Sequence, residues 1–176
     1  KGDAIVGQMS TSHWDIDPAR QALSDAVYRN MVVIDGKGFL RRGTVPFGNG
    51  AEITEDYLAE VRASGLTAIS TSVAGSRTLE ASKAYIAGTD AAIASRPDAL
   101  LKIEKAADLA DAKRTGRLGV IYDTQGTHEL DGKVGNVAVL AKLGVRVFQL
   151  TYNKAALVGD GCVERRNAGL AEFGHE

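Results

Sequence analysis

Short apolar runs rich in β-branched residues alternate along the sequence with longer segments of helical periodicity, and this alternation constrains the fold more than any other feature. The runs that predict strands are residues 31–34, 66–73, 100–103, 118–122 and 145–150. One helix is predicted after Asp17-Pro18, and others at residues 54–63, 78–95, 106–115 and 134–143. Because strands that alternate with helices are joined by right-handed crossovers, the pattern predicts a parallel sheet.

Polar residues capable of chemistry follow the ends of several predicted strands. They are Asp35 and Lys37 after the first strand, Asp123, Gln125 and His128 after residues 118–122, and Thr151, Tyr152 and Asn153 after residues 145–150. A (β/α)8 barrel builds its active site at this end of its strands, and no G-x-G-x-x-G motif follows the first strand to favour a dinucleotide-binding sheet. Since such a barrel takes about 250 residues, we expect about the first half of a (β/α)8 TIM-type barrel.

The sequence also predicts how the chain is organised around this half barrel. Residues 1–30 are expected to form an N-terminal segment and helix outside the barrel, anchored by His13-Trp14-Asp15, and residues 31–176 its N-terminal half. The chain stops at FGHE without a turn or cap, so the remaining strands are expected from missing sequence or from another chain. Because a half barrel leaves open edges and an uncovered apolar interior, the isolated chain should be poorly soluble.

Composition and charge exclude several classes of function. The 176 residues are 44% hydrophobic and 24% charged, and 21 basic against 22 acidic side chains give a net charge of -1. This balance creates no field that would attract nucleic acid or anionic lipid, and no apolar run reaches the roughly 20 residues of a membrane span. The single Cys162 cannot form an internal disulfide, so the location stays open between the bacterial cytoplasm and the periplasm or exterior.

Four motifs, taken in order, resemble the N-terminal half of the renal or membrane dipeptidase family. They are VIDG, DTQGTH, KLGVRVFQLTYN and GDGCVERRNAGLAEFG, and the resemblance runs from Val32 to the last residue. The last motif, Gly159 to Gly174, is the most specific. The resemblance implies a metal-dependent (β/α)8 barrel that hydrolyses dipeptides, usually with two zinc ions that share a bridging carboxylate and activate a water.

The residues that would hold the first metal in this family are replaced here. Lys37 and Phe39 stand where the family has the His and Asp of D-G-H-x-D, Gln125 stands where it has the bridging glutamate, and Tyr152 replaces its carbonyl-binding histidine. A protonated lysine repels a dication, and phenylalanine offers no lone pair. We therefore predict no metal ligand within this sequence, and zinc only through residues beyond it.

Seven residues are the candidates for a functional site. The candidate catalytic residues are Lys37, Gln125 and Tyr152, and the candidate substrate-binding residues are Asp35, His128, Asn153 and Asp160. Each also has a simpler interpretation: Lys37 as a solvated loop lysine, and His128 as a surface or capping residue. Asp160 either forms a carboxylate pair with Glu164 or satisfies backbone amides in a glycine-rich turn.

These observations leave three functional hypotheses. The one we favour is an enzyme, a dipeptidase-like hydrolase of peptide or amide bonds with a degenerate first metal site. The alternatives are a non-catalytic barrel that binds a small ligand and a metal-free enzyme that uses Lys37 as base or nucleophile. The expected partner is a small peptide or a carboxylate ligand, and the sequence leaves a homodimer open.

Overall fold

The computed structural model describes residues 17–40, 53–74 and 78–176, so His13-Trp14-Asp15 lies outside the described residues. The chain divides into two units, the first ending at Met31 and the second running from Val32 to Glu176. In the first unit, helix α1 spans Pro18–Asn30. The Asp17 carboxylate caps it by accepting a hydrogen bond from the Ala19 amide at 2.9 Å, as the Asp-Pro pair predicts.

The second unit alternates strands and helices. Its strands are β1 (Ile34–Asp35), β2 (Ala68–Ala74), β3 (Leu100–Lys102), β4 (Leu118–Gln125) and β5 (Val145–Gln149). Its helices are α2 (Glu55–Ser64), α3 (Leu79–Ala94), α4 (Ala106–Thr115), α5 (Gly135–Lys142) and α6 (Glu172–His175), with a 3-10 turn at His128–Leu130. Among the described residues, no helix is long and apolar enough to cross a membrane.

Local capping signals set the ends of the longer helices. The hydroxyls of Thr54 and Thr78 accept hydrogen bonds from the amides at the starts of α2 and α3. Gly65 and Gly116 adopt left-handed conformations at the ends of α2 and α4, with φ of 69° at both. These conformations favour glycine and end a helix, so the boundaries match the sequence prediction closely.

Strand β4 is the centre of the sheet, and every strand pair between described residues is parallel. On one side it pairs with β2, which in turn pairs with β1. On its other side, residues 118–120 pair with β3 and residues 122–125 pair with β5. This is a partial (β/α)8-type barrel in which β3 shares one edge of β4 with β5.

Three features differ from the sequence prediction. Strand β1 has two residues instead of four, because Val33 bonds to the Thr67 hydroxyl as well as to its amide and so leaves the regular ladder. Strand β4 runs three residues further than predicted, to Gln125, since its end pairs with strands on both sides. The C-terminus was expected to lack a turn or cap, which is wrong: it forms the short helix α6.

The two faces of the central sheet differ in polarity. Ile69 and Val73 on β2, with Val120 and Tyr122 on β4, belong to the buried core that includes residues of the helices. Ser70, Ser72 and Asp123 alternate with them, and side chains alternate between faces along a strand. The helices therefore cover an apolar face, and the opposite face carries polar groups into the barrel interior.

The buried Tyr122 on β4 takes part in a hydrogen-bond network with α3 and β3. The Tyr122 hydroxyl donates a hydrogen bond to Asp90 on α3 at 2.8 Å, and Lys102 Nζ on β3 binds the same oxygen at 2.8 Å. Burial, and then the bond to Asp90, raise the pKa of Tyr122 far above the ordinary range. Burial also raises the pKa of Tyr57, whose hydroxyl donates to the Phe39 carbonyl oxygen at 2.9 Å, to about 12.

These two tyrosines predict a loss of stability at alkaline pH. Above the ordinary tyrosine pKa of about 10 the unfolded chain releases their protons while the folded chain keeps them, so the free energy of unfolding falls as pH rises. Tyr122→Phe should make the free energy of unfolding fall less steeply with pH, by the equivalent of up to about one bound proton. Tyr57→Phe should have the same effect between about pH 10 and 12. Denaturant unfolding from pH 9 to 12 measures the slopes, and slopes identical to wild type in both variants would contradict the prediction.

Candidate functional site

The loop after β1 is held tightly against β2 and carries Lys37. Asp35 Oδ1 accepts a hydrogen bond from the Lys37 amide at 2.9 Å, which closes a local turn at the end of the strand. A Cβ atom on Gly38 would lie 2.7 Å from Cβ and Cγ2 of Ile69, so only glycine lets the loop approach β2 this closely. The predicted binding residue Asp35 therefore shapes the turn that positions Lys37.

The Lys37 side chain reaches across β2 to a buried carboxylate on β4. Its Nζ lies 2.5 Å from Asp123 Oδ1 and 2.6 Å from the hydroxyl oxygen of Ser72. The Asp123 side chain is 3% exposed, whereas that of Lys37 is 40% exposed. Lys37 is thus held by two short bonds on its buried side and is open to solvent on the other side.

Two serines complete the environment of Asp123. Ser70 donates to Oδ2 and Ser72 donates to Oδ1, both at 2.7 Å. We refer to Lys37, Ser70, Ser72 and Asp123 as the lysine–aspartate cluster. An isolated carboxylate this deeply buried would be strongly unfavourable, and the ammonium with the two hydroxyl donors compensates for the water it has lost.

Sequence reasoning missed most of this cluster. Asp123 was recognised only as a polar residue after a strand, because that strand was predicted to end at Tyr122, and the two serines were not considered. The available signal was the spacing of two between Ser70 and Ser72 in the strand sequence AISTSVA, which places both hydroxyls on one face. Lys37 contacts Ser72, 35 positions away in the sequence, and Asp123, 86 positions away, and sequence spacing cannot reveal contacts this distant.

The other two predicted catalytic residues lie at the same end of the sheet but outside the cluster. Gln125 ends β4, pairs with Gln149 and is half-buried. Tyr152 follows β5, is 51% exposed, and lines a cavity of about 660 Å³ formed by residues 149–152 and 159–170. The hydrogen bonds of Lys37 Nζ described above go to Ser72 and Asp123 rather than to Gln125 or Tyr152.

Asp160 and Asn153 have structural contacts in the C-terminal loop. Asp160 Oδ2 accepts from the Ala168 amide at 2.9 Å, and its Oδ1 accepts from Arg166 Nε at 3.0 Å. Glu164 instead accepts from the Ala155 amide at 2.8 Å, so the two carboxylates stabilise separate parts of the loop. Asn153 Oδ1 accepts a hydrogen bond from the Cys162 thiol at 3.3 Å.

His128 lies away from the cluster, at the start of the 3-10 turn. It is exposed and lines a cleft of about 500 Å³ with Thr78 and residues of the first turn of α3. The other side of the cleft is formed by Asp131, Lys133 and Asn136. The structure therefore places His128 in a groove beside the helices.

The residues at the family's first metal position do not fit a zinc ion. Lys37 offers an ammonium that is already bonded to Asp123 and Ser72, and Phe39 has no donor atom and is 78% exposed. Within the described ranges, no group of three or more His, Cys, Asp or Glu residues is arranged to hold a metal ion.

Comparison with known proteins identifies the family. Residues 49–176 match the family model of membrane dipeptidase, peptidase family M19. The chain belongs to this family, and it corresponds to the N-terminal half of the family's barrel.

The fold of this chain superposes on part of several solved structures. An amidohydrolase from Pseudomonas aeruginosa superposes with a TM-score of 0.74 at 29% identity, over 85% of this chain and 42% of its own. The probable dipeptidase PvdM from Pseudomonas aeruginosa gives 0.66 at 14% identity, over 90% and 46%. A metallo peptidase from Rhodobacter sphaeroides, liganded with a phosphinate mimic of the dipeptide L-Ala-D-Ala, gives 0.58 at 15% identity, over 82% and 54%. The chain spans about half the length of these structures.

Two glycines of the β1 loop provide a matched test of the close packing that positions Lys37. Gly38→Ala should destabilise the protein by about 1–3 kcal/mol, because the added methyl group overlaps Ile69 in the sheet. Gly36→Ala should have little effect, since no atom lies within 4 Å of the Cβ it would add. Thermal unfolding of both variants checks this, and equal shifts in Tm would show that the loop does not depend on the contact.

Removing the cation alone should cost more than removing both charges. Lys37→Met leaves Asp123 buried with only hydroxyl donors, and we expect a loss of about 1–3 kcal/mol, reduced from that of a fully buried pair because Lys37 is partly exposed. The double variant Lys37→Met/Asp123→Asn has no buried charge at this site, and the Asn oxygen can still accept from the serines. It should therefore be more stable than Lys37→Met alone. Denaturant unfolding of the two variants and of Asp123→Asn completes a double-mutant cycle. Strict additivity would mean that the ion pair has no energetic role.

Proposed function

We propose that the complete protein is a dipeptidase-like hydrolase of peptide or amide bonds in which an internal ion pair replaces the first metal site. Membership of the M19 family supports the class of reaction. The observation that carries the rest is the 2.5 Å contact between Lys37 Nζ and Asp123 at the end of the strands, where the family resemblance puts zinc ligands. Since the chain spans about half of its structural neighbours, this proposal concerns the barrel completed by further residues.

The candidate residues take specific roles in this proposal. Tyr152 lines the cavity at the end of β5 and presents a hydroxyl that can donate one hydrogen bond to a substrate carbonyl oxygen. Gln125, at the end of β4, can offer an amide to the substrate but no charge to share between two metals. At most one zinc ion would then be bound per chain, by residues outside 1–176.

A second candidate is a barrel that binds a small ligand without catalysis, and one observation favours it. The Lys37 ammonium is partly exposed and is fixed by two bonds to the protein, as an anion-binding residue should be. The same contacts weigh against Lys37 as a base or nucleophile, because an ammonium paired with a buried carboxylate has no lone pair to donate.

Metal content and dipeptide hydrolysis test the proposed loss of the first metal site. We expect the purified full-length protein to hold at most one metal ion per chain and to hydrolyse ordinary dipeptides weakly or not at all. Elemental analysis, with a dipeptide hydrolysis assay before and after chelation, measures both quantities. Two tightly held zinc ions together with fast, chelator-sensitive hydrolysis would contradict the proposal.

A variant that restores the family's residues serves as the positive control. Lys37→His/Phe39→Asp/Gln125→Glu replaces the ammonium with two ligands and a bridging carboxylate, the donor types that zinc prefers. This variant should bind more zinc per chain than the wild type in the same analysis. If its metal content does not increase, the three substitutions are not what prevents metal binding.

A further inference from the structure

We propose that the Lys37 ammonium, held by Ser72 and Asp123, is a binding point for a small carboxylate at the mouth of the barrel. The inference rests on the proposed replacement of the first metal by Lys37, but it does not require hydrolysis. Lys37 is the residue that would contact the ligand. Ser72 and Asp123 are positioning residues, because they act through Lys37.

Within the part of the chain that the structure describes, the hydrogen bonds of Lys37 Nζ leave one N–H for a ligand. A protonated lysine has three N–H groups, and here one is directed to Asp123 at 2.5 Å and one to Ser72 at 2.6 Å. Both acceptors lie on the buried side, whereas 40% of the lysine side chain remains accessible. The third N–H therefore belongs to the open side of the ammonium, where a ligand oxygen can accept it.

Because Ser70 and Ser72 also donate hydrogen bonds to Asp123, the carboxylate does not rely on the Lys37 ammonium alone. The carboxylate accepts from Ser70 and Ser72 as well as from Lys37, so its demand for donors is shared among three groups. The neighbouring Asp123 carboxylate still lowers the attraction for an anion, and we expect a dissociation constant on the order of millimolar for a minimal carboxylate.

The lysine is ordered before any ligand arrives. A mobile lysine side chain loses rotamer entropy when it binds a ligand. In Lys37 the two short bonds to Ser72 and Asp123 already restrict the side chain in the folded protein, so less entropy is lost on binding. Its backbone is fixed as well, because Gly38 packs on Ile69 and Asp35 closes the turn. The ammonium is thus presented in one position at the C-terminal end of the strands, where barrels of this type bind ligands.

The test is a titration of the full-length protein with acetate, followed by calorimetry or NMR, with acetamide as the neutral probe of the same shape. Lys37→Met/Asp123→Asn removes the ammonium while avoiding an unpaired buried charge, so its fold can be verified by an unchanged Tm. We expect this variant to bind acetate at least tenfold more weakly than the wild type, with no difference for acetamide. Equal acetate affinity in the two proteins, or no acetate binding to the wild type, overturns the inference.

A single substitution tests the charge argument independently. Asp123→Asn removes the nearest negative charge but keeps a side-chain oxygen that can accept from Lys37, so acetate should bind several-fold more tightly than to the wild type. An affinity that does not rise counts against Lys37 as the binding group. These readouts do not depend on catalysis. Acetate binding through Lys37 in an inactive protein would support this inference and contradict the hydrolase. An active protein whose acetate binding does not depend on Lys37 would support the hydrolase and contradict this inference.

Discussion

The ion pair between Lys37 and Asp123 is the interaction on which the polar face of the sheet depends. Asp123 lies within the central strand and is 3% exposed, so the strand tolerates it only with a compensating charge. That charge comes from the loop after β1, a strand that does not pair with β4, and the link crosses β2 through Ser72. The ion pair therefore links β1 directly to β4, whereas backbone hydrogen bonds connect these two strands only through β2.

Under the proposed function, the cluster would show how a metal site can change without leaving a buried carboxylate uncompensated. A zinc ion in such a site neutralises carboxylates and attracts ligand oxygens, and an ammonium can do both, although with one charge and without activating water. Lys37 meets the first demand through Asp123, and its bonds to described residues, Asp123 and Ser72, leave one N–H for the second. Under the proposed function, the chemistry available at the end of β1 would be hydrogen bonding rather than Lewis-acid catalysis.

The sequence predicted elements whose signals are local and missed those set by distant partners. The limits of α2 were predictable because Thr54 and Gly65 stop the helix by their own conformations. The length of β4 was not, since its last residues stay in the sheet through pairing with β2 and β5. Lys37 could be marked as unusual from its motif, whereas its partner Asp123 could be identified only from the fold.

The position of β4 has a consequence for the order of folding during synthesis. Strand β3 precedes β4 in the chain, yet among the described strands its partner is β4, and β5 also depends on it. The β1–β2 pair formed earlier involves two residue pairs, which is too little to be stable alone. A nascent chain that has reached Lys102 but not Gln125 therefore holds unpaired strands, and the sheet can assemble only once β4 has left the ribosome.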